Sequence, residues 1–194
     1  MNKASVRQQL LNVRNSLPKK KVADLSSEIS SIFLQQVFFK RSNCLLLYLN
    51  VGNEVNTTDV INCAMNEKKA LFLPFTEIVD EKIEVRTFNG WNSLIKGKFG
   101  ILYPSEKGVD IKESGIDLVV IPGVAFDEKG NRIGFGKGFY DQLLHRKNDV
   151  IKVALAYELQ VMKESLPKEK HDVHVDYIVT EKRVINCNEN RGEI

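Results

Sequence analysis

The chain has little cysteine and no long apolar run. Its three cysteines, Cys44, Cys63 and Cys187, are an odd number without metal-ligand spacing, so we interpret them as free thiols of a reduced, cytoplasmic compartment. The longest apolar runs, Cys44–Leu49 and Leu118–Pro122, are far shorter than the ~20 residues that a membrane helix needs. The first residues contain no apolar signal core. We therefore expect a cytoplasmic protein without a membrane partner.

Internal repeats and low-complexity segments are also absent. Hydrophobic residues make up 43% of the chain and charged residues 27%, which excludes a disordered tail, a collagen and a coiled coil. A chain of 194 residues can bury roughly 70% of the surface that its unfolded form exposes. These values predict a single globular domain over residues 1–194.

Positive charge is concentrated at the amino-terminal end. Residues 1–41 carry eight Lys or Arg against two acidic residues, a net charge of +6, whereas the remainder carries 20 against 23, a net charge of −3. A basic segment indicates an anionic partner, either a phosphate-bearing small molecule or a nucleic acid, or else a solvated helical face. Charge alone favours the solvated helical face. The absence of aromatic residues alternating with these charges, and of any RNA or DNA motif, argues against a nucleic acid.

Hydrophobic spacing predicts an α/β fold. Apolar residues three and four apart predict helices at Lys3–Leu17 and Lys19–Phe39, separated by Pro18, and the first helix should bury Val6, Leu10, Val13 and Leu17. Further helices are predicted at Thr57–Glu67 and Tyr140–Arg146. Strands are predicted at Cys44–Leu49, Ala70–Leu73, Ile83–Phe88, Asp117–Ile121, Ile151–Ala156 and Tyr177–Thr180. This alternation favours a Rossmann-like three-layer domain with a largely parallel central sheet, whose ligands bind at the carboxyl ends of the strands.

A glycine-rich segment after the predicted strand Asp117–Ile121 is typical of a phosphate site. Its characteristic residues are Gly134, Gly136 and Gly138, with Arg132 and Lys137 among them. Glycines let backbone amides approach an oxyanion closely, and the cations supply full charge. Asn131 and Gly138 exclude a Walker loop around Lys137, and Phe139 excludes a dinucleotide fingerprint. The alternative is a glycine-rich turn that only changes the direction of the chain and binds no ligand.

This segment closely resembles the signature of the 5-formyltetrahydrofolate cyclo-ligase family, also called 5,10-methenyltetrahydrofolate synthetases. The matching residues run from Pro122-Gly123-x-Ala125-Phe126-Asp127 through Gly130-Asn131-Arg132 to Gly138-x-Tyr140-Asp141. Four further blocks match in order: Lys3-x-x-x-Arg7, Tyr48 with Glu54-Val55-x-Thr57, Ala154-Leu155-Ala156-Tyr157, and His171-Asp172-Val173-x-Val175-Asp176-x-Ile178-Val179-Thr180. The resemblance thus extends over most of the chain.

The resemblance implies an enzyme that uses ATP as co-substrate and Mg²⁺ as cofactor. Such an enzyme converts 5-formyltetrahydrofolate to 5,10-methenyltetrahydrofolate and releases ADP and phosphate. In the family's mechanism the formyl oxygen attacks the γ-phosphate, N10 attacks the resulting iminophosphate carbon, and phosphate leaves. Phosphoryl transfer asks mainly for positioning and charge stabilisation, which agrees with a phosphate loop and no convincing nucleophile. We expect a monomer with these small-molecule substrates and no nucleic-acid partner.

The resemblance also implies roles for individual residues. The ATP contacts would be Lys3, Arg7, Asn131, Arg132, Ile133, Gly134, Phe135, Gly136, Lys137, Gly138, Phe139 and Tyr140. Among these, Arg132 and Lys137 would be the catalytic cations that neutralise charge on the transferring phosphoryl group. The folate contacts would be Leu49, Glu54, Phe135 and Tyr140, and the Mg²⁺ carboxylates would be Asp141 and Asp176. Phe135 and Phe139 depart from the family, which often has Tyr or Arg at the first position and Tyr at the second, so stacking is expected there without side-chain hydrogen bonds.

Several other interpretations stay open. Asp176 also suits a structural residue at the start of a strand. A zinc site could be drawn from His171 and His174 with Asp172 and Asp176, although a third soft ligand is missing. A cysteine nucleophile paired with His145 or His171 would lack a basic or glycine-rich setting. A sugar-phosphate isomerase or an acyl-transferase could use the same fold.

Overall fold

A mainly parallel β-sheet organises the fold. The computed structural model describes residues 2–77, 82–97, 102–112, 114–147, 149–169 and 171–192. Within these ranges the helices are α1 (Lys3–Asn15), α2 (Lys19–Leu34), α3 (Val37–Arg41), α4 (Thr58–Asn66), α5 (Phe139–His145) and α6 (Cys187–Arg191). The strands are β1 (Cys44–Leu46), β2 (Ala70–Glu77), β3 (Lys82–Thr87), β4 (Leu94–Lys96), β5 (Leu102–Pro104), β6 (Gly108–Val109), β7 (Leu118–Ile121), β8 (Ala125–Asp127), β9 (Arg132–Ile133), β10 (Ile151–Leu155), β11 (Val161–Met162), β12 (Tyr177–Val179) and β13 (Val184–Asn186).

The order of the strands confirms the predicted fold class. Among the described residues, one sheet has the order β13-β12-β10-β7-β1-β2-β3-β6. The central strands from β12 to β2 are parallel, and β13, β3 and β6 add antiparallel edges. The chain leaves β1 toward β2 on one side and returns as β7 on the other. In open α/β sheets, ligands bind at such a switch point, outside the carboxyl ends of the two strands.

Helices cover both faces of this sheet. On one face, α2 and α4 bury Ile29, Phe33 and Val60 against the strands. On the other face, Leu143 and Leu144 of α5 pack with the sheet, together with Cys187 at the start of α6. These two cores give the predicted three layers. No helix in the described ranges combines the length and the apolar character that crossing a lipid bilayer would require.

Helix α1 packs on a second, small sheet with the order β11-β8-β9. Val6 and Leu10 contact Val124 and Ile133 there, which holds the amino-terminal turns of α1 beside the glycine-rich loop. The predicted buried stripe was wrong at Val13, which is 42% exposed. Arg14, four residues after Leu10, occupies the buried face instead and is 4% exposed.

Aromatic packing interrupts the helix that was predicted over Lys19–Phe39. Helix α2 ends at Leu34, and Gln36 has an extended backbone before α3 begins at Val37. The break places the rings of Phe38 and Phe39 at 5.7 and 5.3 Å from the ring of Phe33. In a continuous helix the neighbours of Phe33 would be the residues three and four positions later, so Phe38 and Phe39, five and six positions later, could not both contact it.

Strand β2 continues through Pro74, where the sequence indicated its end. Strand β1 pairs with β2 only as far as Phe72, so Pro74 lies beyond that ladder. On its other side, Pro74 pairs with Val85 in the antiparallel ladder with β3. Proline is tolerated where one edge of a strand is unpaired, because it has no backbone N–H to contribute there.

Candidate active site

Two adjoining cavities lie at the switch point. We call the first the loop cavity; it measures about 250 Å³ and is lined by the glycine-rich loop, the start of α1 and the loop before β12. We call the second the β1 cavity; it measures about 680 Å³ and is lined by the last turn of α1 and the loop after β1. Pro122, Phe135 and Tyr140 line both. Ligands bound in the two cavities would therefore meet.

The backbone of the glycine-rich loop explains its composition. Gly136 has φ +101° and Gly138 has φ +65°, and residues with a side chain rarely adopt these backbone angles. A β-carbon at Gly136 would also lie 3.6 Å from the guanidinium carbon of Arg7. Gly138 directly precedes α5, whose first residue is Phe139. The loop is therefore more than a simple chain turn, because its backbone passes close to the guanidinium group of Arg7.

Cations from three segments line the loop cavity. They are Lys3 and Arg7 of α1, Arg132 of β9 and Lys137 of the loop. Arg7 donates from Nε to the carbonyl oxygen of Gly134 at 2.7 Å. Arg132 donates from Nη2 to Oδ1 of Asp141 at 2.8 Å, and both side chains are largely buried. The structure thus brings together all four predicted basic residues, which could bind a polyphosphate.

Carboxylates also line the loop cavity, and sequence reasoning did not assign two of them, Glu169 and Asp172, to a phosphate site. Nζ of Lys3 lies 2.6 Å from Oδ2 of Asp172 and 3.2 Å from Oε1 of Glu169. Burial by itself would raise the pKa of Asp172, but the hydrogen bonds from Lys3 and from the backbone N–H of Glu169, together with the positive charge of Lys3, hold the pKa below its ordinary value. Asp141 is held nearby, since its Oδ1 accepts from the backbone N–H of Val173 at 3.0 Å.

The structure does not bring Asp176 to Asp141. Asp176 immediately precedes β12 and accepts from the backbone N–H of Lys152 at 2.8 Å, at the start of β10. Its backbone N–H donates to the carbonyl oxygen of Lys152 at 2.7 Å. These contacts lie at the amino ends of the strands, on the edge opposite the cavities. Asp176 therefore has the position of the strand-start residue that the sequence left open, and the other aspartate that lines the loop cavity with Asp141 is Asp172.

The alternative chemistries receive little support from the described residues. The metal-compatible cluster there consists of Glu169, His171 and Asp172, without the other members of the zinc set, and Lys3 contacts two of the three. Burial raises the pKa of Cys44 to about 11 and that of Cys187 to about 12, so both stay protonated at neutral pH. The structure therefore offers neither a complete soft-ligand site nor an activated thiol at these positions.

The β1 cavity is mostly apolar but contains buried polar groups. Leu49 and Glu54 line it, as predicted for folate contacts. Oε2 of Glu54 accepts from the backbone N–H of Val51 at 2.8 Å. Burial raises the pKa of Glu54, whereas the charge of Arg14 opposes that rise. Burial also raises the pKa of Tyr140, whose hydroxyl is buried without a hydrogen-bond partner among the described residues.

The remaining predicted residues have mixed placements. Ile133 lines the loop cavity but is buried among the apolar contacts of α1, and Phe139 lines it from the start of α5. Phe135 is 53% exposed between the cavities. Asn131 lies outside both linings, because its Nδ2 donates to Oδ2 of Asp127 at 2.6 Å and closes the preceding turn.

Trp91 and Tyr103 also lie outside both linings. The indole ring of Trp91 packs edge-on against Phe88, and the ring of Tyr103 packs against Phe75 at a centroid distance of 4.6 Å. Both residues therefore make packing contacts.

Comparisons with known proteins agree on one family. The model of the 5-formyltetrahydrofolate cyclo-ligase family matches residues 1–181. The chain is 32% identical over 163 residues to a Schizosaccharomyces pombe protein named as a probable 5-formyltetrahydrofolate cyclo-ligase, covering 76% of this chain and 79% of that one. It is 27% identical over 154 residues to the mouse 5-formyltetrahydrofolate cyclo-ligase, covering 74% and 75%. The solution structure of Aquifex aeolicus 5,10-methenyltetrahydrofolate synthetase superposes with a TM-score of 0.83 at 35% identity, covering 96% and 93%.

Proposed function

The chain belongs to the 5-formyltetrahydrofolate cyclo-ligase family, and from this premise we propose that it converts 5-formyltetrahydrofolate and ATP to 5,10-methenyltetrahydrofolate, ADP and phosphate. The observation that carries the proposal is the junction of the two cavities at Pro122, Phe135 and Tyr140. One cavity is rich in cations, and the other is large, mostly apolar and equipped with a buried carboxylate. This pairing suits a phosphoryl donor that meets a ring substrate.

The triphosphate of ATP occupies the loop cavity in this proposal. Arg7 lies against the glycine-rich loop and Lys137 belongs to it, and both bind phosphate oxygens, while Arg132 is held by its ion pair with Asp141. Cations held in place before the reaction stabilise the charge on the transferring group without further reorganisation. Gly136 and Gly138 have positive φ values that would strain any residue with a side chain. Because they carry none, the backbone N–H groups of the loop stay accessible to the phosphates.

The tetrahydropterin of the folate occupies the β1 cavity. Glu54 accepts hydrogen bonds from ring N–H and amino groups, and Leu49 contacts the apolar part of the ring system. Phe135 and Tyr140 border both cavities, so they lie where the formyl group would meet the γ-phosphate. This placement favours a near-attack arrangement of the two substrates.

The reaction then needs little covalent chemistry from the protein. The formyl oxygen attacks the γ-phosphorus, the bond to the bridging oxygen breaks, and ADP leaves. N10 attacks the formyl carbon of the iminophosphate, loses its proton, and phosphate departs with the former formyl oxygen as the ring closes. Lys137 and Arg132 stabilise charge on the phosphoryl group in both steps, as phosphoryl transfer requires.

The residues beside the phosphate site also fit a magnesium ion. Asp141 and Asp172 line the loop cavity and offer the hard oxygen ligands that Mg²⁺ prefers, and Asp172 takes the place that the sequence gave to Asp176. When bound, the ion would neutralise charge on the phosphate oxygens. Lys3, which contacts Asp172 directly, supplies positive charge at the same place.

A direct assay tests the proposed function. Purified protein incubated with 5-formyltetrahydrofolate and MgATP should generate the near-ultraviolet absorbance of the conjugated methenyl product. ADP should form only when the folate is present, which an isomerase, an acyl-transferase or a nucleic-acid-binding module would not show. ADP release independent of folate, or no methenyl product, would contradict the proposal. Monomeric state, single-domain organisation and a cytoplasmic location remain predictions, and sedimentation can test the first.

A further inference from the structure

Arg14 is a buried cation that the proposed reaction does not yet use. It lies in the last turn of α1, is 4% exposed and lines the β1 cavity. Its Nη1 donates to the carbonyl oxygen of Gly123 at 3.3 Å, while its Nε is buried without a hydrogen-bond partner among the described residues. Buried polar groups are normally hydrogen-bonded, so an unpaired donor at a cavity wall indicates an acceptor on a ligand.

The fold itself gives Arg14 little to do. The carbonyl oxygen of Gly123 also accepts from Nε2 of Gln160 at 3.1 Å, so this acceptor keeps a partner without Arg14. The end of α1 is closed by Asn53, whose Nδ2 donates to the backbone oxygens of Arg14 and Leu17. These bonds do not involve the Arg14 side chain. A purely structural role therefore does not explain the buried charge.

Opposite charges meet in the β1 cavity without pairing directly. Glu54 is 6% exposed and lines the same cavity as Arg14, yet no ion pair joins the two side chains within the described part of the chain. The ring of Phe135 lies beside the cation, with Cζ of Arg14 5.4 Å from its centroid. A ligand for this wall should present acceptor and donor groups side by side and should be flat enough to lie near an aromatic ring.

We propose that Arg14 determines specificity by binding the 4-oxo group of the pterin, while Glu54 accepts from the neighbouring N3–H and 2-amino groups. This inference rests on the proposed function. The pterin has these three groups along one edge, so it complements a cation and an anion on one cavity wall. The anionic glutamate tail fits less well, because Glu54 would repel it and a hydrated chain would have to be buried.

Binding without ATP tests this role directly. Calorimetry would compare wild type, Arg14→Met and Arg14→Lys with two ligands, 5-formyltetrahydrofolate and a 5-formyl-6-methyltetrahydropterin that lacks the tail. We expect Arg14→Met to weaken both ligands by about tenfold or more, and Arg14→Lys to restore part of the loss. ATP affinity should not change. Arg41→Met removes the same charge from an exposed position outside both cavities and serves as the control.

Clear outcomes would overturn the inference. A loss seen only with the tailed ligand would assign Arg14 to the glutamate, and unchanged binding of both ligands would remove it from the site. Equal losses for folate and ATP with a lowered melting temperature would indicate a structural role. If wild type neither binds nor converts the folate, the proposed function itself fails, whereas normal turnover with an indifferent Arg14→Met overturns this inference alone.

The pH dependence of pterin affinity distinguishes this binding role of Arg14 from a packing role, because a packing role would not change it. The titratable groups around Glu54 are the cation of Arg14, which opposes the rise in the pKa of Glu54, and the buried tyrosines Tyr48, Tyr140 and Tyr157, whose own pKa values the charge of Glu54 raises. Only Arg14 among them favours the carboxylate, so Arg14→Met should move the acidic limb of pterin affinity to higher pH. Glu54→Gln should abolish that limb. If the acidic limb did not shift in Arg14→Met, the proposal that Arg14 and Glu54 bind the same edge of the pterin would be contradicted.

Discussion

The two cavities differ in how the chain builds them. Most of the loop cavity comes from one continuous segment, residues 132–141, to which α1 and the loop before β12 add charged side chains. The β1 cavity is assembled from α1, the loop after β1, strands β2, β3 and β5, and the shared residues Pro122, Phe135 and Tyr140. A phosphate needs backbone room and fixed charge, which a short segment can supply. A ring substrate needs a large apolar wall with a few aligned polar groups, which only tertiary packing can supply.

The largest effect confined to one cavity is expected for a substitution of Lys137. We expect Lys137→Ala to lower kcat and kcat/KM together by about 10²- to 10³-fold, because its charge matters most as the phosphoryl group moves. Folate affinity measured without ATP should stay near wild type. Steady-state kinetics and calorimetry check this, with exposed Lys129→Ala as the control outside both cavities. An effect confined to KM for ATP would make Lys137 a ground-state binder.

The reciprocal change is Glu54→Gln in the β1 cavity. Losing the anion should raise KM for 5-formyltetrahydrofolate by roughly 10- to 150-fold, the equivalent of about 1.5–3 kcal/mol for a charge-assisted hydrogen bond. KM for ATP should change little. Equal effects on both substrates would show that the two cavities are not independent and would indicate a structural role.

Stability offers a separate test of Glu54. Burial raises its pKa in the folded state, so the ionised carboxylate costs stability above its ordinary pKa, and that cost fades as pH falls. Glu54→Gln should therefore melt at least as high as wild type at pH 7. The difference should shrink toward pH 4, as measured by thermal unfolding. A variant that melts lower at pH 7 would mean that the carboxylate stabilises the fold.

A set of three aspartates sharpens the assignment of the loop cavity. Asp141→Asn and Asp172→Asn should each raise the magnesium concentration for half-maximal activity by about tenfold, because a charged oxygen ligand becomes neutral. Asp176→Asn should leave that value unchanged and act only on stability, since its partners are Lys152 and the start of β10. The reverse pattern, with Asp176 controlling the magnesium response, would contradict the placement in the structure.

The sequence predicted what depends on local pattern. The five central strands and the glycine-rich loop could be identified because hydrophobic runs and glycine spacing are local properties. The choice between Asp172 and Asp176 could not be made, because they lie four residues apart in one block and only the pairing with Lys152 fixes which one starts β12. Arg14 had a usable signal, since a charge four residues after Leu10 lies on the buried side of α1.

The smallest expected effect concerns the ion pair between Lys3 and Asp172 in the lining of the loop cavity. Asp172 has a lowered pKa, so its interaction with Lys3 stabilises the fold above the ordinary carboxyl pKa and is lost as pH falls through the lowered value. Lys3→Met should therefore lower the melting temperature by a few degrees at pH 7, since a partly buried pair contributes only about 1 kcal/mol.

Wild type and Lys3→Met should converge as pH falls below the ordinary carboxyl pKa and through the lowered pKa of Asp172, because its carboxyl then becomes protonated. Lys20→Met removes a cation from an exposed pair with Asp24 on α2 and controls for the loss of charge. At neutral pH, KM for ATP should rise in Lys3→Met while KM for folate stays unchanged, because Lys3 lines only the loop cavity. A stability difference that persists at low pH would show that the Lys3 chain acts by packing, and an unchanged KM for ATP would separate it from the nucleotide.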